Sequence, residues 1–415
     1  MRVVKGGRLG FASGTDTSSK GIQTLFERAV ESAKAIFPDG ARQLPQANGG
    51  VGDGVEGKPP LIRPSGPPSP TEGRRNKRYP ELLAFSLPEK ELSRRLRILE
   101  QRVLAGDRRI KKALSLSFHE AGGVQAIVNT RGIAVAEPWS AVSFSAEILG
   151  ASGKETETCW GSTEKRQWAD LNPESVVDDA RARLLTAFGA KPLRSGTWPV
   201  IFTPRVGVDL VELFSQTVLA DAVQKGRSCV AERMAKKVAS PLVTFVDDGT
   251  LAGGISSGQW DDEGVPKQRT VVVAGGILRS FLHDAVTAGR AKGVSTGNAS
   301  RSGRESPPSP GVSNFYLTPG PGSCESLYRS TPRAFVVRDV IGMHTADPVS
   351  GDFSVGASGF LFENGIPGRA VRGVTLSGNL LDLFARVDAV ANDLTWQGFF
   401  GSPTFRVKEL SVGGS

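Results

Sequence analysis

Residues 347–360 read DPVSGDFSVGASGF, and this stretch decides the expected fold of the C-terminal half. Residues 353–363 have the composition of a strand, and Asn364-Gly365 then predicts a turn into a second strand at residues 370–377. Shorter apolar runs of the same kind recur earlier in this half of the chain. The C-terminal half is therefore expected to contain a mixed, mostly antiparallel sheet.

The rest of the chain combines helical and strand-like patterns, which predicts an α+β fold. Ser18 or Ser19 is expected to cap a first amphipathic helix, and Asn172 to open another. Between them the apolar pattern changes to period two, which predicts an antiparallel meander. The predicted strands of the meander are residues 113–121, 124–129, 134–149 and 155–162, with a turn at Gly122-Gly123. Further helices are predicted at residues 87–104, 206–224, 228–238 and 379–391.

The domain organisation follows from length and composition. A chain of 415 residues is long for one ordinary core, so two domains are expected. Residues 1–195 should form an N-terminal α/β meander domain and residues 196–415 the C-terminal sheet domain. Within the first, residues 40–78 are rich in Pro, Gly and Ser, which predicts a disordered insert.

Composition and charge narrow the classes of function. No apolar run approaches the roughly 18 residues of a membrane span, and the N-terminus lacks an apolar secretion signal, so a cytoplasmic protein without a membrane partner is expected. The 3 cysteines are widely separated, which does not suit a disulfide framework. Residues 1–112 carry 22 Lys/Arg against 12 Asp/Glu. Such a surplus can attract nucleic acid, but it more often forms a solvated face, so nucleic acid is not the expected partner.

Five stretches, in the same order along the chain, resemble the TldD/PmbA family, formerly described as modulators of DNA gyrase. They are VDDGTLAGG at 246–254, DDEGVPKQRT at 261–270, STGNA at 295–299, residues 347–360, and SGNLL at 377–381. The chain is more similar to the PmbA (TldE) branch. This resemblance implies a two-domain α+β fold and a dimer of one TldD-like and one PmbA-like subunit that encloses a peptide-cleaving cavity.

The resemblance also implies where zinc should be held. In the TldD branch a helix carries His-Glu-x-x-x-His and a cysteine near the C-terminus completes the site, which leaves an open position for an activated water. Here the corresponding helix offers Asp209, Glu212 and Asp221 but no histidine, and residues 398–415 contain no cysteine. No catalytic residue, metal ligand or cofactor is therefore expected in this chain, and zinc is expected in the partner subunit.

The glycine-rich stretch is the candidate substrate-binding segment. Its glycines allow close approach by another backbone, and a strand edge would offer unpaired amides to an extended peptide. The candidate residues are His344, Gly351, Asp352, Phe353, Ser354 and Gly356. The alternative for Asp352 is that it caps a turn. Of the other polar clusters, residues 261–264 are expected to form a solvated turn, and His119 and His283 to have no catalytic role.

These observations predict a non-catalytic, PmbA/TldE-like subunit of a heterodimeric zinc metallopeptidase that acts on unfolded or leader peptides. The expected partners are a TldD-like catalytic subunit and a peptide. Two alternatives stay open: a self-sufficient metallopeptidase with atypical ligands, and a DNA-associated modulator protein.

Overall fold

The computed structural model describes residues 1–5, 8–16, 18–36, 38–39, 87–303 and 306–414. The predicted insert at residues 40–78 lies outside these described residues. The helices are α1 (Ser19–Lys34), α2 (Glu89–Leu104), α3 (Pro173–Ala187), α4 (Pro204–Thr217), α5 (Ala220–Gln224), α6 (Ala285–Arg290), α7 (Cys324–Arg329) and α8 (Leu380–Ala385), with 3-10 turns at Trp168–Asp170 and Met343–Thr345.

Among the described residues the strands are more numerous than the helices and form five sheets. They are β1 (Arg2–Lys5), β2 (Arg8–Phe11), β3 (Ile110–Val128), β4 (Ala134–Ser152), β5 (Glu155–Lys165), β6 (Gly196–Phe202), β7 (Phe245–Asp248), β8 (Arg269–Ala274), β9 (Ile277–Leu278), β10 (Ala299–Ser300), β11 (Ser309–Pro310), β12 (Phe315–Leu317), β13 (Arg333–Ile341), β14 (Asp352–Glu363), β15 (Ile366–Asn379), β16 (Val387–Val390), β17 (Thr395–Gln397), β18 (Phe400–Ser402) and β19 (Phe405–Gly413). The α+β prediction is confirmed.

The capping residues confirm the predicted starts of two helices, α1 and α3. The Ser18 hydroxyl accepts a hydrogen bond from the Gly21 amide at the start of α1. The Asn172 side chain accepts from the Ser175 amide, and Pro173 occupies the first turn of α3. These caps satisfy amides that have no partner within the helix, which is why local sequence located them.

The meander β3-β4-β5 is antiparallel, as expected, but its first two predicted strands are one. Gly122 and Gly123 do not form a turn, because they pair in register with Ser140 and Trp139 of β4. A Cβ atom on Gly123 would lie 3.3 Å from the Trp139 indole nitrogen. Glycine at this position therefore admits a neighbouring ring, and the predicted turn is wrong.

Two predicted helices of the C-terminal half are also wrong. Residues 228–238 form turns, because backbone amides of this segment bond to another part of the chain: Ala235 donates to the Leu278 carbonyl and Val238 to the Gly276 carbonyl. The helix predicted at 379–391 is limited to α8, after which the chain pairs with β19 as strand β16. Tertiary pairing overrides helical periodicity in both places.

Two six-stranded sheets form the C-terminal half, as a mixed and mostly antiparallel arrangement. One has the order β15-β14-β13-β6-β19-β16, and an additional pairing of β15 with β19 closes it. The other has the order β17-β18-β12-β7-β8-β9. The pairings β13–β6 and β12–β18 are parallel.

Helix α4 lies in the main hydrophobic core with residues of both sheets. Phe214 of α4 stacks on Phe245 with 4.4 Å between ring centroids, and Phe384 meets both rings edge-on. A Cβ atom on Gly207 would lie 2.3 Å from the Ser402 hydroxyl, so this helix approaches β18 more closely than a larger residue permits. The position and rotation of α4 are therefore fixed by packing on its buried side.

Candidate functional site

A tight turn leads into the candidate peptide-binding strand. Gly351 has a φ of +84°, a conformation that favours glycine. The Asp347 carboxylate accepts hydrogen bonds from the amides of Val349 and Ser350, and the bond from Val349 is the main reason that the pKa of Asp347 is lowered. Asp347, rather than Asp352, caps this turn.

Asp352 has a different structural role, at the start of β14. Its carboxylate accepts a hydrogen bond of 2.9 Å from the Asn379 side chain, whose amide group also donates to the Ser350 carbonyl. Asn379 is the last residue of β15 and caps α8. The pair thus joins the glycine turn, two strands and a helix start, while Asp352 remains exposed.

The six candidate residues divide between surface and core. Ser354 is exposed, whereas the Phe353 side chain is only 5% exposed and belongs to the main core. The prediction that Phe353 contacts a peptide is therefore not supported, because alternate side chains of a strand point to opposite faces and this one points inward.

The backbone of β14 has one free side near its start. β15 pairs along the whole of residues 352–355, but β13 ends at Ile341, opposite Gly356. On that side the Asp352 carbonyl accepts from the Asp347 amide. Ser354 lies two residues after Asp352 in the strand, so its amide and carbonyl point to the same side as those of Asp352. No described strand pairs with them there. The edge of β14 that no described strand covers is thus one residue long.

His344 and Gly356 border this edge. His344 is exposed on the 3-10 turn Met343–Thr345, which packs beside β14. Gly356 is half-buried and pairs with both Ile341 and Thr375. The structure therefore brings His344, Asp352, Ser354 and Gly356 to one end of β14.

Helix α4 presents carboxylates on the side that faces away from the core. Asp209 is half-buried and Glu212 is exposed, one turn apart. Burial raises the pKa of Asp209 to about 6, although the nearby Arg205 guanidinium opposes this shift. The surface of α4 is thus polar and acidic at the position where the resemblance implies a zinc-binding helix in TldD.

The residues that the structure describes do not fit a zinc site. The three histidines lie on separate elements: His119 on β3, His283 just before α6, and His344 on a 3-10 turn. In the parts of the chain that the structure describes, no three His, Cys, Asp or Glu side chains are grouped so that they could hold a metal ion. His283 instead lies 3.3 Å from the Thr287 hydroxyl, beside the capping box of α6.

Asp261, Glu263 and Gly264 are buried and Asp262 is half-buried, so the predicted solvated turn is wrong. The Asp261 carboxylate accepts amide hydrogen bonds from Glu263, Val265 and Ala299 and is 1% exposed. Burial raises its pKa to about 7 despite these bonds. The three adjacent acidic residues had suggested a solvent-exposed turn. The amides that bond to the Asp261 carboxylate, however, include that of Ala299 from a distant segment.

Sequence reasoning missed two cavities that have charged residues in their linings. The larger, of about 630 Å³, lies between the meander and residues 249–259, and its charged lining residues are Glu137, Arg166, Asp170 and Lys267. The smaller, of about 390 Å³, lies beside the start of α4. Their lining residues come from distant parts of the chain, so no local motif marks them.

Comparison with known proteins identifies the family. The family model described as the PmbA/TldA metallopeptidase C-terminal domain matches residues 195–414. The models for domain 1 and the central domain match residues 1–33 and 83–188. The chain belongs to the PmbA/TldD metallopeptidase family. The resemblance seen in the five sequence stretches is thereby confirmed.

Curated relatives and a solved structure agree with this PmbA/TldD assignment. A metalloprotease of Methanocaldococcus jannaschii is 34% identical over 217 residues, 52% of this chain and 48% of that protein, so the chain spans about half the length of that relative. Metalloprotease PmbA of Escherichia coli O157:H7 is 24% identical over 419 residues, 98% of this chain and 83% of that protein. The crystal structure of TldE from Thermococcus kodakarensis has a TM-score of 0.83 and 22% identity, and the match covers 100% of this chain and 89% of that one. This last likeness shows the fold.

No helix in the described ranges has both the length and the hydrophobicity needed to cross a lipid bilayer.

Proposed function

We propose that this chain is a non-catalytic, PmbA/TldE-like subunit of a heterodimeric zinc metallopeptidase, and that a TldD-like partner holds the zinc. The observation that carries the proposal is the surface of α4. It offers Asp209 and Glu212 but no imidazole, whereas the TldD branch is expected to carry His-Glu-x-x-x-His on this helix. A carboxylate surface without histidine or thiolate lacks the ligands that zinc prefers in peptidases.

The role proposed for this subunit is to bind and position an unfolded or leader peptide. Support comes from the end of β14, where no described strand pairs with the amide and carbonyl of Ser354 on one side and where Asp352, Gly356 and His344 line the same edge. A peptide in extended conformation can bond to such an edge through its own backbone. Gly351 forms the tight turn that leads into this edge.

The remaining parts of the proposal concern organisation and place. Division into domains at residues 1–195 and 196–415 is proposed from length and composition, although the family models divide the chain into three segments. A cytoplasmic location is proposed from the sequence, and the three cysteines are all unpaired, as a reducing compartment requires.

Co-expression tests the proposal directly. The full chain is produced alone, together with a TldD-like protein that has intact zinc ligands, and together with that protein after its motif histidines are replaced. Each preparation is assayed with one unstructured peptide. We expect the two proteins to co-purify and to cleave the peptide only when the partner ligands are intact. Chelator-sensitive cleavage by this chain alone would instead favour a self-sufficient metallopeptidase.

A further inference from the structure

The smaller cavity lies where the meander meets the C-terminal half. Its walls come from β5, the N-terminal three turns of α3, the start of α4, β13 and β17. Its volume of about 390 Å³ is at the lower end of the range for small-ligand sites, which is roughly 300–1,000 Å³. The cavity therefore has room for more than a single small ion.

The lining of the cavity carries more positive than negative charge, and the Asp339 carboxylate, which is not part of that lining, pairs with two of its arginines. Its charged lining residues are Arg183, Arg205, Arg338 and Asp179, which is three cations against one anion. The larger cavity, by contrast, has two cations and two anions in its lining. An excess of guanidinium groups inside a concave surface attracts an anion, and their planar fork suits a carboxylate or a phosphate.

One of the three arginines is a fixed structural element. Arg183 is 6% exposed and donates to Asp179, Asp339 and the Trp160 carbonyl. These bonds satisfy a buried cation and hold its guanidinium group in place. Arg183 therefore contributes positive charge to the cavity, while each of its three nitrogens already donates to a protein oxygen.

The other two arginines keep donors for a ligand. Arg205 donates from Nε to Asp339 at 3.0 Å, and no hydrogen bond from its two terminal nitrogens is seen among the described residues. Its guanidinium group lies 5.5 Å from the Trp160 ring centroid, which restrains it. Within the described ranges, Arg338 has one ionic contact, at 3.6 Å from Asp179, which is longer than a hydrogen bond.

The N-terminus of α4 also favours an anion in this cavity. The Thr203 hydroxyl donates to the Val337 carbonyl, so it does not cap the helix. The partial positive charge of this helix start is thus left facing the cavity that Thr203 and Pro204 line. On its own this would not define a site, but it acts on the region that Arg205 and Arg338 make cationic.

We propose that Arg205 and Arg338 bind the carboxylate at the C-terminal end of a peptide in this cavity. The inference deepens the proposed function and rests on it, because the ligand is taken to be a peptide. Trp396 and Gln397 of β17 also line the cavity and provide apolar and amide surface for the last residue of that peptide. A bare phosphate would use the guanidinium groups but not this surface.

Binding to the full-length chain tests the inference with a matched pair of probes. An unstructured hexapeptide of Gly, Ala and Ser, labelled at its N-terminus, is made with either a free C-terminal carboxylate or a C-terminal amide. Fluorescence anisotropy should show that the acid binds roughly tenfold or more tightly than the amide, because two charge-assisted hydrogen bonds are lost with the amide. Arg338→Gln and Arg205→Gln should each bring the acid close to the amide.

The control variant is Arg329→Gln, which removes an exposed guanidinium group paired with Glu325 outside the cavity. It should leave both affinities unchanged, and thermal unfolding of all variants should confirm that they fold. Equal binding of acid and amide, or no binding of either, would overturn the inference. So would inorganic phosphate that displaces the acid peptide at equal concentration, since the site would then take a free anion.

The two proposals fail in distinguishable ways. If the complex with a TldD-like partner cleaves the acid and amide peptides equally, and the binding difference is absent, the carboxylate site is wrong while the subunit role stands. If this chain cleaves peptide without a partner, the subunit role is wrong, and the anisotropy result is still decided by the acid and amide affinities.

Discussion

The guanidinium group of Arg2 forms an ion pair with the carboxylate of Glu263, 261 residues further along the chain. The two side chains are 8% and 1% exposed. The other Glu263 oxygen accepts the Ala285 amide at 2.8 Å. This buried pair attaches the hairpin β1–β2 to the C-terminal half.

Removing one member of this pair should be costly, because the other charge would stay buried without a partner. We expect Arg2→Met to lower the free energy of unfolding by about 3–5 kcal/mol. The double variant Arg2→Met/Glu263→Leu should lose clearly less than the sum of the two single changes. Urea unfolding of the four proteins measures this coupling, and strictly additive losses would contradict it.

The aromatic cluster around α4 gives a second stability prediction. Phe245 stacks on Phe214 and Phe315, with centroid distances of 4.4 and 5.8 Å. Phe245→Ala should lower the free energy of unfolding by about 3–5 kcal/mol, since it leaves a cavity in the main core. Phe399→Ala, at a position that is 38% exposed, is the control and should cost much less. Similar losses for the two would argue against this core.

Local sequence located the elements that depend on neighbouring residues. The starts of α1 and α3 were predictable because Ser18 and Asn172 cap their own helices. Where a distant strand decides the conformation, prediction failed: residues 228–238 have helical spacing of apolar residues, yet Ala235 bonds to Leu278 and adopts a φ of +60°.

The candidate site was predictable in the same limited way. The turn and strand around Asp352 follow from a contiguous motif, so the sequence located them. Burial of Phe353 followed only from the sheet register. Arg183, Arg205 and Arg338 lie on three elements that meet only in the folded chain, so no spacing in the sequence brings them together.

The free edge at Ser354 predicts a specific effect of proline. Ser354→Pro removes the amide that faces no described strand, so no strand hydrogen bond is lost, but a peptide loses its donor. We expect activity of the reconstituted complex to fall about tenfold or more, in line with one lost main-chain bond and steric exclusion. Ser354→Ala keeps the amide and should stay within about twofold.

Either of two results would contradict this peptide edge. One is full activity of Ser354→Pro in a complex that melts at the wild-type temperature. The other is an equal loss of activity in both variants, which would assign the effect to the side chain instead of the amide.

The raised pKa of Asp209 predicts a pH dependence of stability. The folded-state pKa, about 6, lies above the ordinary value of 3.8, so the folded chain binds this proton more tightly than the unfolded chain. The stabilising contribution is fully present below 3.8 and is lost as pH rises through about 6. Asp209→Asn, which never ionises, should therefore be more stable than the wild type above neutrality, by about 1–2 kcal/mol for a half-buried group.

Urea unfolding near pH 4 and near pH 8 checks this sign. The advantage of Asp209→Asn should be present at the higher pH and nearly absent at the lower one. Glu100→Gln, an exposed position on α2, serves as the control and should follow the wild type at both. An advantage that is larger near pH 4 would reverse the assignment.

The zinc content of the separately purified subunits tests the central claim most directly. The chain and a TldD-like partner are purified apart, dialysed against trace zinc, and analysed by mass spectrometry for bound metal. The account predicts about one zinc per partner and well below a tenth of that in this chain, because α4 presents carboxylates and no imidazole. Near-stoichiometric zinc in this chain, together with chelator-sensitive peptide cleavage by it alone, would contradict the account.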